Sequence, residues 1–287
     1  MIKEKIDISK ISKTLLITIY ARAIESQSEN STFKDPKSVE IVNKLDSYIS
    51  KYNDPFYQRL IKRNLPKSLS QLVVLRNKLF DKYVMDFTKN NPDGVIINIG
   101  CGLATRFFRV ENGQISWYDL DFPEVIDIKK QFVQETDRYH FLATSVFNYE
   151  WIKRIDKNKK ILLIGEGVFI FLNGKDVKDL LLKLQSEFPG CEIVFDVNNI
   201  HLVTWQKLLY KVFFRHLNKN DLTYSDILDY IWGIRNEYEL EKINPGITFI
   251  DKRVYADYRK NKNLWYKIKC CFKFYRETQY IVHYKLN

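Results

Sequence analysis

Cysteine is sparse in this 287-residue sequence, and the four present (Cys101, Cys191, Cys270, Cys271) form no C-x-x-C pair. With only four histidines beside them, neither a zinc site nor a disulfide framework is expected, and a reducing cytoplasm is the expected compartment. No run approaches 18 consecutive apolar residues, so no membrane span is expected. The first residues, MIKEKID, carry acids and no long apolar core, and do not read as a secretory signal. Internal repeats and low-complexity stretches are missing. The Gly-Lys-Ser/Thr of a phosphate-binding loop is missing too, which removes one class of nucleotide site.

What is present is core-forming material. Hydrophobic residues make up 45% and aromatics 15%, enough for a large buried core rather than disorder. The net charge is +11, and residues 252–287 hold ten Lys/Arg against two Asp/Glu. That excess reads either as a solvated basic surface or as a contact for an anionic partner.

The first ninety residues read as helices. "ISKTLLITIYARAIES" (11–26) has apolar residues at helical spacing, and "DPKSVEIVNKLDSYIS" opens with Asp35 as N-cap and Pro36 behind it. "SQLVVLRNKLFDKYVMDFTK" (70–89) is a third amphipathic helix, stopped by the turn cluster Asn90-Asn91-Pro92-Asp93-Gly94. Short buried strands then alternate with helices. The strands are expected at "GVIIN" (94–98), "QISWYDLD" (114–121), "YHFLATSV" (139–146), within "KKILLIGEGVFIFL" (159–172), and at "CEIVFDV". Between them lie helices beginning at Pro123 ("PEVIDIKKQFVQET") and in "GKDVKDLLLKLQSEF". This alternation predicts an α/β fold with a mostly parallel sheet and helices on both faces. "GITFIDKRV" and "QYIVHYKLN" add two terminal strands, seven in all. The expected division is a helical extension (1–90), a ligand-binding core (91–200), a helical cap (201–245) and the terminal strands with their basic connection (246–287).

"INIGCGLATRFFR" (97–109) places Gly100 and Gly102 at the end of the first strand, where open parallel sheets bind ligands. Glycines there permit a tight turn and close approach of backbone to ligand. Asp119 and Asp121 end the second strand, about 20 residues on, where an acid can accept both hydrogen bonds of a ribose diol. A dinucleotide fingerprint needs a third glycine, and Thr105 occupies that position. The absence of a pyrophosphate-facing glycine favours an adenosine cofactor without phosphates, S-adenosylmethionine.

The ordered segments "IINIGCGLATRFFRV", "WYDLDFPEVI", "YHFLATSVFNYEW", "LLIGEGVFIFL" and "FPGCEIVFDVNN" resemble the leucine carboxyl methyltransferase family. The similarity is to its bacterial branch of natural-product O-methyltransferases, from "YARAIES" (20–26) to the C-terminus. It implies a class I (Rossmann-like) methyltransferase sheet with a helical cap. It also implies that Arg22 and Arg76 hold the methionine carboxylate of the cofactor and that Gly100 backs the methionine moiety. Asp121 is implied at the ribose, with Asp119 competing for that role. Ser145 and Val146 are implied at the adenine, and Glu166 near the sulfonium and amino group. Two positions depart from the family: Ala104 replaces the Asp of "GLDTR", and Asn148 stands where an Asp is common. The first departure puts a link to Arg106 in doubt, the second the strength of adenine recognition.

The expected reaction is methyl transfer to the carboxylate of a small natural-product acid, free or carried on an acyl-carrier protein. A carboxylate is already ionised at neutral pH, so alignment and a dry site suffice without a dedicated base. A phenol or hydroxyl acceptor would need one, and His201 or Glu166 would be the candidates. Trp205, Tyr210, Phe213, Phe214, Tyr224, Tyr230 and Trp232 are either an acceptor pocket in the cap or ordinary packing. "LWYKIKCCFKFYR" (264–276) is either a solvated helix or a surface for membrane or carrier protein. A non-catalytic or RNA-associated binding protein on the same fold is the remaining alternative; no aromatic-basic recognition motif accompanies the charge, and no nucleic acid partner is expected.

Overall fold

Asp35 does cap a helix as its position requires, accepting the main-chain N–H of Ser38 at 3.1 Å. The computed structural model describes residues 12–201, 203–204, 232–259, 268 and 270–287. The chain divides after Lys159 into two compact units.

The first unit begins with α1 (Lys13–Gln27), α2 (Pro36–Ile49), α3 (Pro55–Ile61) and the long α4 (Lys67–Asn90). Helix α1 packs on α2 and α4 and buries Leu16, Ile19, Tyr20 and Ala23, a stripe at helical spacing. Helix α3 is not anticipated above, although Asp54 caps it and Pro55 opens it, the signal already used for α2. Strands β1 (Val95–Ile99), β2 (Ser116–Asp121) and β3 (Tyr139–Ala143) follow, all parallel, in the order β3-β2-β1. Ile99 pairs with Leu120, and Asp121 with Ala143, so the glycine turn and the acidic strand end lie side by side. Helix α5 (Phe107–Val110) follows the turn, and α6 (Pro123–Lys130) follows β2. Helix α6 is shorter than the expected run to residue 136. The Gln131 N–H bonds back to Ile128 and Lys129, which tightens the last turn and sends Phe132 and Val133 into the core.

The second unit holds β4 (Ile161–Gly165) and β5 (Cys191–Asn198), a parallel pair. Strand β7 (Gln279–Leu286) runs antiparallel to both β5 and β6 (Ile247–Val254), giving the order β4-β5-β7-β6. Helix α7 (Gly174–Glu187) buries Val177, Leu180, Leu181 and Leu184. With its antiparallel last strands the seven-stranded sheet is mixed. Except for Trp232, the cap aromatics named above lie outside the described residues, as does part of the basic segment 264–276. No described helix is long and apolar enough to cross a membrane.

Candidate cofactor-binding site

The turn after β1 needs its glycines: Gly100 has φ 61° and Gly102 φ 47°, left-handed values that favour glycine. The N–H groups of Gly100 and Cys101 both donate to the Leu120 carbonyl, at 2.8 and 3.2 Å, which pins the turn to the end of β2. The Asp121 carboxylate then closes on it. Oδ2 accepts the Gly102 N–H at 2.7 Å and Oδ1 accepts the Phe122 N–H at 2.8 Å. Each oxygen keeps a further lone pair for another donor. Burial pushes the Asp121 carboxyl above its ordinary range, opposed by these two N–H groups and by the charge of Lys129.

Asp119 is placed differently. It is 1% exposed and takes Asn98 Nδ2 at 2.8 Å and Trp117 Nε1 at 2.9 Å on one oxygen. The other oxygen accepts the Tyr139 hydroxyl and lies 2.5 Å from Lys129 Nζ. Its donors are therefore all internal, whereas Asp121 is half-buried at the rim of the turn.

Arg22 is also interior. Its Nε lies 3.2 Å from Asp35 Oδ2, and its Nη2 donates to the Leu103 carbonyl at 2.8 Å. Asp35 further accepts from the Thr105 hydroxyl (2.6 Å) and from Arg109 (2.9 Å). Arg109 also pairs with Asp81, which holds Arg106 Nε at 2.8 Å. The missing carboxylate at Ala104 therefore does not strand Arg106, because α4 supplies one. Arg76 is half-buried on α4, one residue before Asn77, which accepts from Arg109.

Ser145 is half-buried after β3, its Oγ accepting the Phe147 N–H at 3.3 Å, and Val146 is buried with its carbonyl held by Trp151 Nε1. Asn148 is exposed. In the second unit Glu166 is half-buried just beyond β4, followed by Gly167 at φ 69°, whose N–H donates to the buried Asp196 at 2.7 Å. His201 is exposed.

The structure thus joins Gly100, Gly102 and Asp121 directly, with Arg22 reaching the same turn through Leu103; it sets Asp119 apart. The sequence reading missed Asp81, Arg109 and Lys129. Their signal was a polar residue on a buried stripe: Asn77, Asp81, Val84 and Thr88 follow one face of α4, and Lys129 neighbours Ile126 and Ile128 on α6.

A family model for leucine carboxyl methyltransferase matches residues 15–185. The tetracenomycin polyketide synthesis O-methyltransferase TcmP of Streptomyces glaucescens is 26% identical over 247 residues, 86% of this chain and 83% of that one. The S-adenosyl-L-methionine-dependent methyltransferase dpfgK of Gibberella zeae is 25% identical, covering 91% of this chain and 88% of its own. Among solved structures, a Thermobifida fusca protein assigned as a methyltransferase superposes with a TM-score of 0.55 at 12% identity, covering 86% and 94% of the two chains. Magnesium protoporphyrin IX methyltransferase from Synechocystis PCC 6803 gives 0.50 at 12% identity, covering 88% and 100%. These likenesses show the class I methyltransferase fold. The chain belongs to the leucine carboxyl methyltransferase family, whose methyl donor is S-adenosylmethionine, and is a methyltransferase.

Proposed function

We propose that this chain methylates the carboxylate of a small natural-product acid, presented free or on a carrier protein. The observation that carries the donor half of this reading is the left-handed glycine turn closed by Asp121, whose two oxygens still offer lone pairs at the strand end. These residues fit an adenosine cofactor without phosphates. When bound, S-adenosylmethionine supplies a methyl group activated by its sulfonium.

In this reading Asp121 accepts the ribose hydroxyls, and Gly100 and Gly102 let the methionine portion approach the backbone. Ser145 and Val146 border the adenine, and Glu166 meets the cationic amino group. Arg76 is our candidate for the methionine carboxylate. Arg22 shapes the turn through Leu103, and Asp119 serves as an internal acceptor rather than a ribose partner.

A carboxylate acceptor is supported by the family model that matches the chain, described as leucine carboxyl methyltransferase. Such an acceptor is already ionised at neutral pH and needs no general base. The name of the Streptomyces relative, a polyketide O-methyltransferase, supports the natural-product class.

Calorimetry tests the donor: S-adenosylmethionine should bind wild type and lose affinity by roughly 100-fold in Asp121→Ala. Equal affinity in both would overturn the assignment of Asp121. Alkaline treatment tests the acceptor, because a methyl ester releases methanol and a methyl ether persists. A base-stable product would replace the carboxylate with a hydroxyl.

A further inference from the structure

The connection from β6 to β7 turns large apolar side chains toward water. It holds two short helices, α8 (Tyr255–Tyr258) and α9 (Lys273–Arg276), which pack on one another. Arg276 fastens them: its Nε and Nη2 donate to Asp257 Oδ1 and Oδ2, at 2.7 Å each. Tyr258 follows that aspartate in the chain, and Tyr275 precedes that arginine. Ahead of α9 the Cys271 N–H donates to the Ile268 carbonyl at 3.1 Å, and the Phe272 carbonyl accepts the Tyr275 N–H at 3.0 Å. Four large apolar residues are thus carried on two clasped helices and the turn before them. All four are open to solvent: Phe272 is 62% exposed, Tyr275 52%, Tyr258 48% and Ile268 45%.

The charge around them has one sign. Residues 255–278 hold seven Lys/Arg against two Asp/Glu, and both acids are engaged. Asp257 takes Arg276, and the buried Glu277 accepts Lys252 Nζ at 2.9 Å. The Lys273 side chain is 73% exposed, its ammonium 3.9 Å from Glu277, and Arg259 is exposed as well. The patch also has a defined place on the sheet. Asn198 ends β5 and pairs with Gln279, which opens β7, while β4 runs parallel to β5. The connection therefore leaves the second unit at the edge where β4 and β5 end.

We propose that this connection is a docking surface for an anionic lipid bilayer, with Tyr258, Ile268, Phe272 and Tyr275 entering the headgroup region and Lys273 and Arg259 meeting lipid phosphates. Apolar side chains exposed singly need no partner, whereas a cluster of them marks a contact surface. The charge selects the partner: a surface rich in cations, its acids already engaged, gains from an anionic one. The side-chain types favour a bilayer. Aromatic residues suit the headgroup boundary, where one end of the side chain is apolar and the other wet. Ile268 gains from the same boundary and has no ring to stack on a nucleobase. Helices of four residues cannot span, so α8 and α9 lie on the membrane with their tips in it. Docking there puts the carboxyl ends of β4 and β5 on the bilayer side of their unit.

The test is sedimentation of the whole chain with lipid vesicles in about 0.1 M salt, where exposed charges act over about 10 Å. Vesicles of phosphatidylcholine alone are compared with vesicles carrying about one-third phosphatidylglycerol. Wild type should partition roughly tenfold more strongly onto the anionic vesicles. Phe272→Ser/Tyr275→Ser should weaken that partition roughly tenfold, and Phe272→Trp should preserve it. Lys273→Glu should also weaken it, by roughly tenfold. Lys153→Glu makes the same charge change at an equally exposed lysine of the first unit, and should leave partition within about twofold of wild type. Melting temperatures equal to wild type show that each variant is folded. Failure of wild type to sediment with anionic vesicles overturns the proposal. An equal loss in Lys153→Glu overturns it too, because net charge alone would then account for binding. So does partition indifferent to the loss of Phe272 and Tyr275. Binding of polyuridylic RNA or of an acyl-carrier protein that the same variants abolish, without partition onto vesicles, overturns it and gives the surface to that partner.

Discussion

Arg22 on α1 donates to the Leu103 carbonyl at 2.8 Å, so a helix from the start of the chain grips the middle of the glycine turn. The same guanidinium pairs with Asp35, whose carboxylate is fully buried. Removing Arg22 leaves Asp35 to Thr105 and Arg109 and frees the carbonyl. Arg22→Ala should therefore destabilise the fold by about 3 kcal/mol or more. Arg22→Lys should recover only part of this, because an ammonium cannot reproduce the planar fork. Urea denaturation midpoints of the three proteins check the order.

Arg106 pairs with Asp81, and Arg109 with both Asp81 and Asp35, so the turn holds its arginines with no acid at Ala104. Ala104→Asp should accordingly change stability by no more than about 0.5 kcal/mol. Asp81→Ala should cost about 3 kcal/mol or more, since it removes the carboxylate paired with the buried Arg106 and one of the two paired with Arg109. Thermal melts of the two variants distinguish a turn waiting for its acid from one already held by α4.

Periodicity made the framework legible. The apolar runs predict β1, β2 and β5 to within two residues, and Asp35-Pro36 marks the start of α2 to the residue. Glycine spacing likewise located the turn, because left-handed φ has a residue signature. Partner choice was not legible. Asp119 and Asp121 look equivalent in "WYDLDFP", and only the fold shows that Asn98, Trp117, Tyr139 and Lys129 converge on the first. Arg22 is a similar case: a basic residue on an amphipathic helix gives no hint that its acid sits on the next helix and its carbonyl 81 residues away. Long-range polar pairing has no period, and it decides which acid is offered to a ligand.

Thiol reactivity offers an independent check of packing. Cys101 and Cys191 are buried, and burial raises both thiols, Cys191 to about 12. Cys271 is exposed. The reactive species is the thiolate, so iodoacetamide near pH 8 should label Cys271 in the native protein and leave Cys101 and Cys191 untouched. In urea all four should react. Peptide mass spectrometry reads the pattern directly, and fast native labelling of Cys101 would contradict its burial in the glycine turn.

Gly102 carries two constraints at once. Its φ of 47° strains any L side chain, and a Cβ there would clash with Leu15 Cδ2, at the start of α1. Leu15 is flexible at its tip, so the contact alone could relax; the backbone angle cannot, because the Gly102 N–H must stay on Asp121. Gly102→Ala should thus cost about 1–2 kcal/mol of stability. The loss should fall on binding as well, since tilting that N–H moves the Asp121 carboxylate it orients. Leu15→Ala should relieve the steric part without restoring the angle. If the double variant Leu15→Ala/Gly102→Ala regains full stability and affinity for S-adenosylmethionine, the strain was contact alone. The left-handed turn predicts that a deficit of about 1 kcal/mol persists in urea titrations and that affinity remains below that of Leu15→Ala.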